Sequence, residues 1–123
     1  KSMTLLIALV ALTSSAISAS YPQDKDCGAS GDGSTQAMAS CFKVQSDIWE
    51  KRLTTQYGAV IARKQVDIPT LRQAQRAWLQ YRARNCATYA TVGGTLRTVL
   101  TAICWRDMTR NRTLELQAMN WKP

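Results

Sequence analysis

The run from Leu71 to Cys86 constrains the fold most strongly, because it contains no Gly, no Pro and no β-branched residue. Its apolar residues recur at the three- and four-residue spacing of a helix that buries one face. That predicted buried face consists of Leu71, Ala74, Trp78 and Tyr81. At about 100° per residue, Gln75 and Arg82 fall on the same face, beside Trp78. We therefore predict an amphipathic helix whose buried face includes two polar side chains.

Two further helical segments flank this run. The first extends from the cap Thr35 to about Val66, and the last extends from the cap Thr95 to about Met119. Pro69 suits the first turn of the middle helix, which runs to about Thr91 before Gly93-Gly94 ends it. Short connections make neighbouring helices antiparallel, so we predict an all-α fold, an antiparallel three-helix bundle.

Carboxylates fall on the predicted inward faces of the outer helices. The apolar residues of these faces are Met38, Phe42, Trp49, Leu53, Tyr57 and Val60 on the first helix, and Leu96, Val99, Leu100, Ile103 and Leu114 on the third. Glu50 lies near the edge of the first face and Asp107 at the centre of the third. A buried guanidinium needs a carboxylate, so we predict an ion pair from Arg82 to Asp107 or Glu50. Gln75 is close enough to join, and with Trp78 these residues form a predicted structural network.

Residues 1–20 have the features of a signal peptide. A Lys precedes the apolar run Leu5–Leu12, and small residues follow it. The run is too short for a comfortable membrane span. We therefore expect an exported bacterial protein, periplasmic or secreted, with no transmembrane segment in the mature chain. Residues 21–34 form a predicted N-terminal arm, and residues 35–123 form the bundle domain.

Four cysteines in an exported chain of this size favour two disulfides. With about 1.5 Å of rise per residue, Cys86 and Cys104 reach similar heights on adjacent helices. We therefore predict the pairs Cys86–Cys104 and Cys27–Cys41, the second of which ties the arm to the first helix. A Cys41–Cys86 bond would require a mismatch of about two helical turns. The spacing suits no metal site made of four thiolates.

The absence of histidine lowers the expectation of an enzyme. It removes the Ser-His and Cys-His nucleophile systems and the usual hydrolytic zinc sites. Glu50 and Asp107 could resemble the carboxylate pair of a glycosidase, but a general acid must carry a proton, and Arg82 between them favours their charged forms. We predict no enzyme activity, no catalytic residue, no metal and no cofactor.

The net charge of +8 favours anionic partners. The candidate binding residues, predicted to contact anionic lipid, lipopolysaccharide or cell-wall polymer, are Arg72, Arg76, Arg84, Arg97 and Arg110. The alternative is that these arginines merely cover solvated helix faces. Nucleic acid is not an expected partner, because an exported protein with disulfides would rarely meet it.

Several motifs along the helices resemble those of a known family. They are Leu53-Thr54-Thr55-Gln56-Tyr57, then Gln75-Arg76-Ala77-Trp78 with Tyr81-Arg82 and Cys86, then Cys104, Thr109, Arg112 and Leu116. In this order they resemble the LprI-type lysozyme-inhibitor domain family of small exported helical proteins, over roughly residues 41–116. The sequence departs from the family pattern at Thr54, where Asn is usual, and at Ala83, where Asp is common.

The resemblance implies a non-enzymatic protein that inhibits a lysozyme-like muramidase. Animal lysozymes are basic, however, so a basic inhibitor would meet them against electrostatic repulsion unless acidic side chains cluster locally. Two alternatives therefore stay open: a basic module that binds the cell envelope, and a structural or assembly factor of the periplasm. The sequence leaves the oligomeric state open.

Overall fold

The computed structural model describes residues 27–28 and 33–121, which form three helices and, within those ranges, no strand. The helices are α1 (Thr35–Arg63), α2 (Ile68–Tyr89) and α3 (Leu96–Met119). This architecture confirms the predicted all-α three-helix bundle. The predicted signal peptide, and most of the predicted arm, lie outside the described residues. In the described part of the chain, no helix combines the length and the apolar character that crossing a membrane requires.

The ends of α1 differ slightly from the prediction. Ser34, not Thr35, caps the helix, because its hydroxyl oxygen accepts a hydrogen bond from the Ala37 backbone N–H at 3.1 Å. The helix ends at Arg63 rather than near Val66. Lys64 adopts the left-handed conformation (φ 54°), in which its N–H reaches back to a carbonyl of the last turn and stops the helix.

Asp67 caps α2. Its carboxylate accepts hydrogen bonds from the Thr70 hydroxyl and the Thr70 backbone N–H. These bonds, led by the one from the hydroxyl, lower the pKa of Asp67 from its ordinary value of 3.8. Because the folded-state pKa is lowered, the cap stabilises the protein at neutral pH, and this contribution is lost as the pH falls through the lowered pKa.

The turn between α2 and α3 also differs from the prediction. α2 ends at Tyr89 instead of Thr91. Gly94 has φ 78°, a conformation that side chains other than Gly rarely adopt, and it redirects the chain toward α3. Thr95 occupies the cap position of α3, but its side chain makes no capping hydrogen bond. Its backbone is already helical, which turns the hydroxyl away from the first-turn N–H groups.

The last helix in the sequence is the central helix of the bundle. α1 and α3 share the most extensive contact, α2 packs against α3 over a smaller area, and α1 and α2 barely touch. The apolar core consists of Leu53 and Val60 from α1, Leu71 from α2 and Leu116 from α3. α3 therefore has a neighbour on two sides, whereas α2 is held mainly along one narrow line.

This one-sided packing corrects part of the predicted buried faces. Ala74 and Tyr81 are exposed, Tyr81 by 61%. The buried residues of α2 are instead Leu71, Gln75, Arg82 and Cys86. Because α2 buries a narrow stripe against α3, residues at the edge of the wider predicted face remain in solvent. Leu96, also predicted to face inward, is 51% exposed, because it lies in the first turn of α3 beside the exposed connection from α2.

Both disulfides join the predicted partners. Cys27 and Cys41 lie 5.6 Å apart between Cα atoms, and Cys86 and Cys104 lie 5.5 Å apart. The first bond attaches the chain before α1 to that helix. The second bond joins α2 to α3 through the fully buried Cys86. This covalent link supports the small helix pair, which has less packing than α1 with α3.

Removing the second disulfide should destabilise the attachment of α2. We expect the double substitution Cys86→Ala and Cys104→Ala to lower the free energy of unfolding by about 3 kcal/mol, the loop-closure value for a loop of this size. Urea denaturation followed by circular dichroism measures this change. The Cys27→Ala and Cys41→Ala variant is the matched control, because it leaves α2 joined to α3. Amide hydrogen exchange in α2 should accelerate in the first variant and not in the control. Equal exchange rates of the α2 amides in the two variants would contradict the role of the Cys86–Cys104 bond in holding α2 against α3.

Candidate functional site

Arg82 on α2 contacts all three helices. Its Nη1 donates to Glu50 Oε2 on α1 at 2.6 Å and to Thr109 Oγ1 on α3 at 2.9 Å. Its guanidinium carbon lies 4.7 Å from the centroid of the Trp78 ring and 4.3 Å from that of the Trp105 ring. Arg82 is only 6% exposed. The predicted ion pair therefore forms with Glu50, and two tryptophan rings shield the buried cation.

Asp107 does not take part in this contact, contrary to one alternative of the prediction. Its Oδ1 accepts a hydrogen bond from the neighbouring Arg106 Nε at 2.6 Å, and its side chain is 49% exposed. The reason is the rotation of α3. The fully buried Thr109 lies two residues farther along, or about 200° around the helix, so Asp107 points to a different side.

Gln75 belongs to a second polar contact instead of joining Arg82. Its Oε1 accepts a hydrogen bond from Arg112 Nε at 3.0 Å, and Arg112 Nη1 donates to Glu115 Oε2 at 2.8 Å. Arg112 is 7% exposed, so this is a second buried arginine between α2 and α3. The signal for Arg112 in the sequence is the apolar Leu116, four residues later and therefore on the same side of the helix. The predicted inward face of the third helix did not include Arg112.

A groove of about 1300 Å³ lies beside Arg82. The first half of α1 and the first half of α3 form most of its walls, Arg82 contributes from α2, and Ala90 contributes from the connection that follows α2. We call it the polar groove. Glu50 and Trp105 also line it, so the buried contact of Arg82 forms part of its surface. Periodicity gives no indication of this groove, because it exists where α1 and α2 fail to pack together.

The lining of the polar groove is rich in hydroxyl and amide groups. These belong to Thr35, Gln36, Ser40, Ser46, Thr95, Thr98 and Thr101. Among its described lining residues there is no Leu, Ile, Val, Met or Phe, and Trp105 supplies the aromatic surface. Lys43 is paired with Asp47 at 3.1 Å across one wall. The groove therefore places hydroxyl and amide groups along a surface that is mainly apolar in area, to which Trp105, three alanines and the carbon atoms of the polar side chains contribute.

The five arginines predicted as a binding surface have three different environments. Three are exposed on α2, a helix without any Asp or Glu: Arg72, Arg76 and Arg84. Arg97 is exposed and lines the polar groove. Arg110 is partly buried, with its guanidinium carbon 5.7 Å from the Trp49 ring centroid on α1. The outer face of α2 is thus the cationic surface, whereas Arg97 lies in the groove and Arg110 lies against α1.

The described residues form no cluster of three or more His, Cys, Asp or Glu side chains that could hold a metal ion. The half-exposed Glu50 is bonded to Arg82, and Asp107 is bonded to Arg106. The arrangement therefore serves to join helices and to present a polar groove. These features define a disulfide-stabilised helical domain with a surface suited to binding.

Comparison with known proteins identifies the family. The family model described as "Lysozyme inhibitor LprI" matches residues 27–116, which include both disulfides and the whole of α1 and α2. The chain belongs to this family. An uncharacterized protein of Rhizobium meliloti (strain 1021), R02472, is 37% identical over 54 residues, a segment that covers 42% of this chain and 39% of that protein. No solved structure matches the chain.

Glu50 and Asp107 provide a matched test of the Arg82 contact. We expect Glu50→Gln to lower the free energy of unfolding by about 1–3 kcal/mol, because the buried guanidinium loses its carboxylate. Asp107→Asn should change it by no more than about 0.5 kcal/mol, since that ion pair is half in solvent. Urea denaturation of both variants measures the difference. A larger loss for Asp107→Asn would contradict the assignment of Glu50 as the partner.

Proposed function

We propose that the protein is an exported, non-enzymatic binding protein that inhibits a lysozyme-like muramidase. The observation that carries this proposal is the family match over residues 27–116, which spans nearly all of the described fold. The contacts of Glu50 and Arg82 agree with a structural role for the charged residues rather than a catalytic one.

The disulfides support the export part of the proposal. Bonds such as Cys86–Cys104 form and persist in oxidising compartments and are rare in the bacterial cytosol. In this proposal residues 1–20 direct export, and the protein works in the periplasm or outside the cell. A muramidase would be encountered in the same compartments.

Charge determines how inhibition should respond to salt. The chain carries a net charge of +8, and animal lysozymes are basic, so the two proteins repel each other at long range. Salt screens this repulsion, with a Debye length of about 10 Å at 0.1 M. Direct inhibition should therefore be maintained or strengthened as the salt concentration rises, whereas attraction to an anionic polymer should weaken.

An enzyme assay tests the proposal. Hydrolysis of a soluble, neutral chitin oligosaccharide by hen or human lysozyme should fall when the purified oxidised protein is added, at low salt and at moderate salt alike. The neutral substrate prevents wall binding from imitating inhibition. The reduced and alkylated protein is the control, since it loses the disulfide that holds α2. Full lysozyme activity at a large molar excess of the oxidised protein would refute direct inhibition.

A second candidate function rests on the outer face of α2. This helix carries exposed Arg72, Arg76 and Arg84 and no acidic residue to offset them. Such a face suits anionic lipid headgroups, lipopolysaccharide or cell-wall polymer, with about 1 kcal/mol gained for each basic residue near an anionic lipid surface. We propose envelope binding as the alternative to muramidase inhibition.

Sedimentation with phosphatidylglycerol vesicles or purified cell wall tests this alternative. The triple variant Arg72→Gln, Arg76→Gln and Arg84→Gln should lose most binding at low salt, and binding of the original protein should fall as salt rises. A control variant with Lys43→Gln, Lys51→Gln and Lys64→Gln removes the same charge away from α2. Equal losses in both variants would show that net charge acts alone and would contradict a specific α2 surface.

A further inference from the structure

We propose that the polar groove binds an acidic oligosaccharide, with Arg97 recognising a carboxylate of the ligand and Trp105 contacting a sugar ring. This site goes beyond the proposed inhibition of a muramidase and does not depend on it. Three properties of the groove support it: the hydroxyl groups of the lining, the accessible tryptophan, and Arg97, a lining cation that no carboxylate of the described residues pairs with.

The lining matches a ligand that has many hydroxyl groups. Side-chain hydroxyls and amides both donate and accept hydrogen bonds, as sugar hydroxyls do. The hydroxyls of Ser46 and Thr98 make no hydrogen bond within the described residues, and that of Thr101 donates to the Arg97 carbonyl at 2.8 Å and keeps its capacity to accept. A lipid tail or an apolar helix would instead need large aliphatic side chains, which the described lining does not contain.

Trp105 provides an apolar surface among these polar groups. Sugar rings carry C–H groups on their faces, which pack well on an aromatic ring. The guanidinium of Arg82, 4.3 Å from the ring centroid, holds Trp105 in place from within the bundle. Arg82 is itself bonded to Glu50 and Thr109 and is therefore not the group that would bind the ligand.

The charges of the groove select an anion. Lys43 is paired with Asp47, and Arg82 is paired with Glu50. Arg97 is exposed in the groove and has no ion-pair partner in the part of the chain that the structure describes. A guanidinium forms two parallel hydrogen bonds with a carboxylate, which adds geometry to the charge attraction. The groove thus combines hydroxyl groups and an aromatic ring, which can contact a sugar, with one arginine that can bind a carboxylate.

The experiment is a titration of the full oxidised protein followed by ¹H–¹⁵N NMR. The acidic probe is the disaccharide N-acetylglucosaminyl-N-acetylmuramic acid, and the neutral probe is di-N-acetylchitobiose. We expect saturable shifts at Thr98, Thr101 and the Trp105 indole N–H, with tighter binding of the acidic probe. Shifts confined to the outer face of α2, or no saturable shift with either probe, would overturn the proposal.

Variants locate the two recognition elements. Arg97→Gln should weaken binding of the acidic disaccharide about tenfold, the value of one charge-assisted contact, and leave the neutral one nearly unchanged. Arg84→Gln removes the same charge outside the groove and should leave both affinities as they were. Thr98→Trp fills the groove at an exposed position and should abolish binding of both disaccharides. Thr88→Trp, on α2 and outside the groove, should leave both affinities unchanged. An unchanged affinity in Arg97→Gln would refute the role of Arg97.

Inorganic phosphate distinguishes a saccharide site from a simple anion site. It should compete weakly with the acidic disaccharide, because it offers charge but no sugar ring for Trp105. Competition at equal concentration would overturn the oligosaccharide assignment. No muramidase is present in these titrations, so their failure would leave the proposed inhibition intact, and failed inhibition would leave this site intact.

Discussion

The contact between Arg82 and Glu50 is the constraint on which the bundle depends. α1 and α2 barely pack against each other, so a direct link between them needs a side chain long enough to cross. Burying a guanidinium is costly unless its charge and its N–H groups find partners. Glu50 supplies the charge, Thr109 supplies a hydroxyl acceptor, and the rings of Trp78 and Trp105 lie against the guanidinium, whose buried Nε–H has no hydrogen-bond partner among the described residues. Glu50, Arg82 and Trp105 also line the polar groove. The residues that stabilise the bundle are therefore partly the same as those that form the proposed binding surface.

Sequence reasoning predicted the elements well, because helical periodicity and Gly or Pro positions are local signals. The disulfide partners followed from helical rise, and Glu50 was one of two expected partners for Arg82. The choice between Glu50 and Asp107 depends on how α3 is rotated, which a pattern without coordinates does not determine. Thr109 was named only as part of the family resemblance, and its hydrogen bond with Arg82 was not predicted, because a buried Thr in mid-helix resembles a surface residue in the sequence. The exposure of Tyr81 and the presence of the polar groove could not be predicted, since both result from α2 having only one close neighbour.

The two proposed binding surfaces address a conflict between the positive charge of the protein and the inhibition of basic lysozymes that its family suggests. A protein with a net charge of +8 is repelled by a basic muramidase but attracted to the acidic polymer that such an enzyme cleaves. If the polar groove binds an acidic glycan, the protein could restrain a muramidase by occupying its substrate, without bringing two basic proteins together. The exposed arginines of α2 would then hold the protein near the same polymer. Inhibition of the enzyme and protection of the polymer would be two distinguishable results of one fold.

The central position of α3 has a consequence for how the chain acquires its structure. α1 and α2 are made first, yet each finds most of its partner surface on the helix that is made last. Isolated helices are marginally stable in water, so a nascent chain that ends before Leu96 has little to hold it folded. The protein should therefore stay unfolded until synthesis is nearly complete. A chain of this kind remains competent to pass through a narrow translocation channel for as long as its final helix is missing.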